Sequence, residues 1–168
     1  MVNLEQINSW TQGQAQAAFL RCCGASRWAE RLAASRPFLS EQELFDAAEQ
    51  VGQELTRDDW LEAFAAHPRI GDLNALRAKF RETAAWSTGE QAGLTGAADA
   101  VLLALAEGNR AFEAKFGYIF IVCATGKTAG EMLALLQQRL ANDPDTELLL
   151  AAGEQAKITR LRLQKLCS

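Results

Sequence analysis

Histidine, clustered basic charge and long apolar runs are all scarce in this sequence. A single histidine, His67, occurs among the 168 residues, whereas a zinc site needs three or more His, Cys or carboxylate ligands. No apolar run approaches the roughly 20 residues that cross a bilayer. The formal net charge of −4 provides no basic field that would capture nucleic acid or anionic lipid. We therefore expect no metal, no membrane association and no nucleic-acid partner.

Cysteine is also sparse and lacks a redox pattern. The four cysteines are Cys22, Cys23, Cys123 and Cys167. None of them forms a C-x-x-C pair, and the two adjacent residues are poorly placed to bridge each other. The segment from Met1 to Trp10 is polar and lacks the apolar centre of a signal peptide. We therefore expect reduced thiols in a cytoplasmic protein.

Cofactor-binding glycine motifs are missing as well. Gly126-Lys-Thr128 resembles the end of a phosphate-binding loop, but Ile121 occupies the position of the first glycine in that motif. We therefore exclude a nucleotide site of this type and expect no cofactor.

Helical periodicity dominates the chain. Apolar residues recur at three- and four-residue spacing, and four Ser or Thr residues precede a polar partner by three positions, as in a capping box. These pairs are Thr11 with Gln14, Ser40 with Glu43, Thr56 with Asp59, and Thr128 with Glu131. No repeat or linker divides the sequence, so we predict one all-α domain over residues 1–168, a bundle of about eight or more helices.

Two long segments of the sequence are also predicted to be helical. Between Thr88 and Gly117 we expect a helix, a bend and a second helix, because glycines interrupt the apolar stripe. The last helix should run from about Thr146 to Leu166. Its predicted apolar anchors are Leu149, Ile158, Leu161 and Leu163.

The segment Tyr118–Ala124 differs from the rest, since it is apolar, aromatic and β-branched throughout. A single strand would have no sheet partner here, and its backbone groups must still be satisfied. We therefore interpret it as an extended segment that lines the active site and offers its backbone to a ligand. A buried helical segment is the alternative that periodicity leaves open.

His67 is the candidate for proton transfer. Trp60, Leu61 and Phe64 follow helical spacing, and Pro68 disfavours the helical conformation at His67, which therefore lies at or just past a helix end. Histidine exchanges a proton near neutral pH. The structural alternative is a histidine that merely contacts the last carbonyls of its helix. A Cys123–His67 nucleophile pair is disfavoured, because nothing local activates the thiol.

Glu90 is the candidate carboxylate partner. It follows Ser87 by three positions at a predicted helix start, next to Gln91. Such a helix end, with free N–H groups and polar side chains, suits a polar or anionic substrate. On the pattern alone, however, Glu90 could simply complete a capping box with Ser87.

Several spaced motifs together resemble the cofactor-independent OHCU decarboxylase family. This family acts on 2-oxo-4-hydroxy-4-carboxy-5-ureidoimidazoline (OHCU), the last intermediate between urate and allantoin. The motifs are Arg36-Pro-Phe38, His67-Pro68-Arg-Ile-Gly71, Ser87-x-x-Glu90-Gln91-x-Gly93-Leu94, Phe116-Gly-Tyr-Ile-Phe120-Ile-Val-Cys-Ala124, Arg139-Leu-x-Asn142 and Leu161-Arg162-Leu163-x-x-Leu166. The resemblance implies decarboxylation to (S)-allantoin by a homodimer.

The resemblance also implies a set of site residues. His67 and Glu90 would be the acid–base pair, with either division of roles between them. The substrate would be bound by Pro68, Ser87, Gln91, Phe120, Ile121, Val122, Cys123, Ala124 and Arg162. Arg160 lies two positions from Arg162 on a helix and should face elsewhere. The ending Leu166-Cys-Ser differs from the peroxisomal Ser-Lys-Leu signal, which favours a bacterial, cytoplasmic enzyme.

A second hypothesis is a non-catalytic helical binding or regulatory module. In that case Tyr118–Ala124 would receive a peptide and His67 would be structural. Such a groove needs an exposed apolar patch of roughly several hundred Å². Because no surplus apolar face is visible in the sequence, we favour the enzyme.

Overall fold

The described part of the computed structural model covers residues 2–69, 74, 76–78 and 95–168, and its regular secondary structure is entirely helical. The helices there are α1 (Leu4–Ser9), α2 (Gln12–Leu20), α3 (Ser26–Ala34), α4 (Glu41–Gln53), α5 (Arg57–Ala65), α6 (Thr95–Phe116), α7 (Ala129–Leu140) and α8 (Pro144–Cys167). Residues 76–78 are helical as well. The predicted all-α class is confirmed.

The chain divides into two compact units. The first comprises Met1–His67, Ile121–Cys123 and Leu148–Ser168, and the second comprises Pro68–Phe120 and Ala124–Glu147. A single domain over residues 1–168 stays a prediction. Over the described ranges, none of the helices combines the length and apolar character that crossing a membrane requires.

The helix starts follow the capping chemistry of the sequence closely. Thr11, Thr56 and Thr128 each accept a hydrogen bond from the backbone N–H three residues later, and the side chain there returns a bond to the cap. Ser40 departs from this pattern. Its hydroxyl accepts from the Glu43 N–H at 3.1 Å, but the Glu43 carboxylate accepts from the Leu39 N–H at 2.6 Å. The capping box predicted there is therefore only half formed.

Arg36 and Phe38, from the Arg36-Pro-Phe38 motif, tie the turn after α3 to the end of α1. The Arg36 guanidinium donates to the carbonyls of Ile7, at 2.9 Å, and Trp10, at 2.6 Å. The backbone of Phe38 exchanges two hydrogen bonds with the Asn8 side chain. Because helix-terminal carbonyls lack partners within the helix, the arginine satisfies groups that would otherwise need water.

The core of the first unit lies between α1, α2, α3 and α4. Trp28 is its largest buried side chain; its ring meets Phe19 edge to face, and its indole N–H donates to the Ala48 carbonyl at 3.0 Å. Other fully buried members of this core include Ile7, Leu32 and Leu44. Burying the indole with its one donor satisfied avoids a polar penalty.

Helix α6 in the second unit is unbroken over its 22 residues. The prediction of a bend from the glycines is therefore wrong between Thr95 and Phe116. Gly93 lies outside the described residues. Gly108 serves packing instead, because a Cβ built there would lie 2.5 Å from the Leu136 Cδ2 atom of α7. Its missing side chain lets α6 and α7 approach closely.

An ion pair is buried in the second unit. Both guanidinium nitrogens of Arg139 that face Glu147 bond its Oε1 atom, with Nε at 2.7 Å, and Asn142 donates to Oε2 at 3.1 Å. The Arg139 guanidinium also lies over the rings of Phe112, at 5.7 Å, and Phe120, at 4.7 Å. The Arg139-Leu-x-Asn142 motif is thus explained by a shared buried carboxylate.

Helix α8 begins at Pro144, two residues before the predicted start, and ends at Cys167. Proline suits the first helical position because its missing N–H is not needed there, and Asp143 caps the helix by accepting from the Thr146 N–H at 2.9 Å. Leu149, predicted as an anchor, is 75% exposed, so that prediction is wrong. Leu163, also predicted as an anchor, is buried, and it shares the buried face of α8 in the first unit with Ala151, Gln155 and Thr159.

Candidate functional site

His67 lies one residue past the C-cap of α5, as the spacing and Pro68 predicted. Its backbone N–H still bonds the Phe64 carbonyl at 3.2 Å, which fixes the turn, and its side chain is half-buried. Gly24 contributes to this position from the segment after α2. A Cβ at Gly24 would lie 2.3 Å from the Cβ of Ala66, the residue before His67. Only glycine allows the two segments to approach this closely.

The His67 ring is held by a chain of side chains from α8. Its Nε2 atom lies 2.5 Å from Oε1 of Gln155, and the Gln155 amide nitrogen donates to the Thr159 hydroxyl at 3.2 Å. The Thr159 side chain also acts on the pKa of the Cys23 thiol, which it lowers against the larger effect of burial. Gln155 is fully buried and Thr159 and Cys23 are nearly so. The histidine is therefore held from α8 through two successive hydrogen bonds.

Arg162 brings positive charge close to this histidine. Its guanidinium is half-buried and donates to the Cys22 carbonyl at 3.3 Å. Within the described ranges, no carboxylate forms a salt bridge with Arg162. Burial raises the pKa of the neighbouring Cys22 thiol to about 11. This thiol is therefore neutral near pH 7 and does not compensate the charge of Arg162.

The electrostatics keep His67 neutral. Burial lowers its pKa, and the positive charge of Arg162 acts in the same direction, while the hydrogen bond to Gln155 opposes them. A histidine that is uncharged near pH 7 can accept a proton. The site thus combines a neutral base with a fixed positive charge, an arrangement suited to deprotonating and orienting an anionic molecule.

Arg160 is placed differently from Arg162, in agreement with the predicted difference in facing. Its side chain is exposed and its guanidinium lies over the Phe45 ring, 5.0 Å from the ring centre. Of the two arginines, only Arg162 acts on the pKa of His67.

The apolar segment Tyr118–Ala124 is neither helix nor strand, so the buried-helix alternative is wrong. Ile121 and Cys123 are buried, and the Cys123 N–H donates to the Glu154 Oε2 atom of α8 at 2.7 Å. A carboxylate of the protein thus satisfies one backbone donor that we had expected to meet a ligand. Val122 and Ala124 are half-buried, and the Phe120 ring lies under Arg139 in the second unit.

The remaining predicted site residues are placed only in part. Pro68 is exposed and is the first residue of the second unit. Ser87, Glu90 and Gln91 lie outside the described residues, so their placement stays a prediction.

Sequence reasoning missed three residues of α8, namely Glu154, Gln155 and Thr159. The signal for two of them was the four-residue spacing that places Gln155 and Thr159 on one helical face with Leu163. Of the four anchors predicted for this helix, Leu163 lies on that face, whereas the side chain of Leu149 faces solvent.

Comparison with known proteins agrees with this architecture. The family model described as OHCU decarboxylase matches residues 8–164. A crystal structure of OHCU decarboxylase in the presence of (S)-allantoin is 38% identical and superposes with a TM-score of 0.69, covering 89% of this chain and 96% of that one.

Two curated relatives are similar along most of this chain. The uric acid degradation bifunctional protein TTL of Arabidopsis thaliana is 41% identical over 148 residues, which is 88% of this chain but only 45% of that protein. The 2-oxo-4-hydroxy-4-carboxy-5-ureidoimidazoline decarboxylase of Haloferax volcanii is 27% identical over 165 residues, 96% of this chain and 94% of that protein. The family match spans nearly the whole sequence, and this chain belongs to the OHCU decarboxylase family.

Proposed function

We propose that this chain decarboxylates 2-oxo-4-hydroxy-4-carboxy-5-ureidoimidazoline to (S)-allantoin in urate degradation, without a cofactor. The observation that carries this proposal is the neutral, half-buried His67 close to the charge of Arg162, in a chain of this family. A base beside a fixed cation is what an anionic substrate with an ionisable hydroxyl requires.

The substrate itself supplies the electron sink. Its carboxylate and hydroxyl share one ring carbon, next to the C=N carbon that carries the ureido group. When the bond to the carboxylate breaks, carbon dioxide leaves and the electron pair passes into the ring toward the C=N nitrogen. The ring nitrogen that received the electron pair takes up one proton, the hydroxyl proton is lost as the ring carbonyl forms, and the ureido-bearing carbon gains a proton on one face. One proton is consumed overall, and the product is allantoin.

The residues available match these steps. We assign to His67 the removal of the hydroxyl proton, to Arg162 the orientation of the substrate carboxylate, and to Glu90 the protons at the ureido and ring nitrogens. The reverse division between His67 and Glu90 is the alternative, and the variants below distinguish them. Contacts with the rest of the substrate are proposed for Pro68, Ser87, Gln91, Phe120, Ile121, Val122, Cys123 and Ala124.

Glu154 refines the proposed use of the apolar segment. Because the Cys123 N–H already bonds Glu154, we assign to this carboxylate the task of holding the segment in place. The other backbone groups of residues 120–124 are then the ones proposed to contact the ureidoimidazoline.

The test is circular dichroism on freshly generated OHCU, with and without the protein. Spontaneous decay has no source of handedness, so a fast signal of one sign is expected only with active protein. A signal equal to that of the blank, from well-folded protein, would contradict the proposal. His67→Asn should abolish turnover and leave the helical spectrum intact.

Glu90→Gln separates catalysis from capping, because glutamine can still complete a capping box with Ser87. We expect a stable but inactive protein. Unchanged activity would assign Glu90 to the helix start alone. If Glu90→Gln instead consumes OHCU faster than the spontaneous decay but yields no handed allantoin, the division of roles above holds; the same result for His67→Asn would exchange the roles.

A homodimer in the cytoplasm is part of the same proposal. The location is supported by the four cysteines, all of which are free thiols. Sedimentation equilibrium tests the dimer, and a monomer at micromolar concentration with full activity would refute it. Cell fractionation tests the location.

A further inference from the structure

Gln155 is a fully buried polar side chain that contacts His67. Its exposed fraction is 0%, and both ends of its amide are hydrogen-bonded. The Oε1 atom bonds the Nε2 atom of His67, and the amide nitrogen donates to the Thr159 hydroxyl. A buried amide without these partners would carry a free-energy penalty. In the structure the amide lies with its oxygen toward the histidine and its nitrogen toward Thr159.

This orientation determines where the histidine carries its proton. An amide oxygen only accepts hydrogen bonds, so the His67 nitrogen facing it must be the protonated one. We propose that Gln155 is a positioning residue whose amide, oriented by Thr159, fixes His67 as the tautomer protonated at Nε2 and thereby makes Nδ1 the basic nitrogen. In a neutral imidazole the hydrogen bond at one nitrogen sets the state of the other.

The partner of the Gln155 amide nitrogen is a neutral group. The Thr159 hydroxyl can both donate and accept, and in the structure it accepts from the Gln155 amide at 3.2 Å. Burial raises the pKa of the Cys23 thiol, on which Thr159 also acts, so the sulfur is uncharged and places no negative charge beside this pair.

The proposal rests on the proposed function for its catalytic meaning. If His67 removes the substrate hydroxyl proton, that proton goes to Nδ1, and the Nε2–H bond to Gln155 strengthens as the imidazolium forms. With the other tautomer the basic nitrogen would face the Gln155 amide instead of the substrate.

The tautomer can be measured without substrate, because His67 is the only histidine in the chain. Protein labelled with 15N-histidine gives one pair of ring nitrogen signals, and a protonated nitrogen is well separated in chemical shift from a bare one. At neutral pH we expect the proton on Nε2. A proton on Nδ1, or an imidazolium at neutral pH, would overturn the proposal.

Two variants test the roles of Gln155 and Thr159. Thr159→Val removes the hydroxyl at nearly constant volume, and Gln155→Leu removes the acceptor. Each should produce a mixture of tautomers and lower kcat by about 10- to 100-fold, the cost typical of losing an outer partner of a functional histidine. The substrate KM should change little. Gln164→Leu, on an exposed position of the same helix, is the matched control and should leave both readouts unchanged.

Gln155→Glu provides a second test of the role of Gln155 if Gln155→Leu does not fold. A carboxylate also accepts from Nε2–H, so the tautomer should be retained while the pKa of His67 rises. A single Nε2–H tautomer and full kcat in both Thr159→Val and Gln155→Leu would contradict the positioning role. If the wild-type tautomer is as expected but no handed allantoin forms, the proposed function fails and the positioning role of Gln155 stands.

Discussion

The buried carboxylate of Glu147 should be among the most important single groups for stability. Its exposed fraction is 0%, and its two oxygens bond Arg139 and Asn142. Replacing Glu147 by Gln keeps the size of the side chain but removes the counter-charge that Glu147 provides to the buried Arg139 guanidinium. Removing one partner of a buried pair costs far more than the pair itself contributes, because the remaining charge cannot return to water.

The expected magnitude follows from this burial. Breaking a buried pair by removing one partner lowers the free energy of unfolding by about 3–5 kcal/mol. For a chain of this size, that corresponds to a fall in Tm of roughly 6–20 °C. The surface pair of Arg31 and Glu54, whose side chains are 42% and 47% exposed, provides the matched control. Glu54→Gln should cost at most about 1 kcal/mol.

Thermal unfolding followed by far-ultraviolet circular dichroism measures both variants. The prediction fails if Glu147→Gln lowers Tm no more than Glu54→Gln does. A double variant, Arg139→Leu with Glu147→Leu, adds a second check. It removes both charges and should recover part of the lost stability, because apolar groups of similar size can replace a buried ion pair at little cost.

Three further predictions concern the neighbourhood of His67. Gly24→Ala should lower kcat and Tm together, because the added Cβ collides with the turn that carries His67, whereas Gly52→Ala, with open space around it, should lower neither. Arg162→Lys should raise KM for OHCU while Arg160→Lys leaves it unchanged; equal effects in steady-state kinetics would refute the assignment. Because the pKa of His67 is lowered from 6.5, the folded state binds a proton less readily than the unfolded state. The contribution of His67 to stability is then complete above pH 6.5 and is lost as the pH falls through the folded pKa, and kcat/KM should stay on its plateau to below pH 6.5. A decline of kcat/KM that begins well above this value would contradict a neutral His67.

Local rules in the sequence were sufficient for most helix boundaries. A cap residue and its partner three positions later interact within one turn, so the outcome at Thr11, Thr56 and Thr128 depends little on the rest of the fold. The break at Pro68 is equally local, since it follows from steric contact with the preceding residue. The position of His67 past the end of α5 could be predicted for this reason.

Side-chain partners far apart in sequence could not be predicted in the same way. Gln155 and His67 are 88 positions apart, and Glu154 and Cys123 are 31 apart. Helical periodicity identifies the buried face of α8 but not what that face meets. The capping box predicted at Ser40 is only half formed for a related reason. The Glu43 carboxylate accepts from the Leu39 N–H instead of the Ser40 N–H, and the sequence does not decide between these two adjacent donors.

The motifs of this family therefore divide by their physical role. Arg36 donates to carbonyls at the end of α1, and Arg139 neutralises a buried carboxylate. The guanidinium groups of both arginines therefore bind groups within the fold. Arg162 is the contrasting case, because its described hydrogen bond goes to a neutral carbonyl and no carboxylate among the described residues pairs with it. A half-buried guanidinium in that condition gains more from an incoming anion than either of the other two. The sequence alone does not distinguish these three arginines, because their partners are known only from the structure. This difference in partners is the reason why we propose that Arg162 binds the substrate carboxylate.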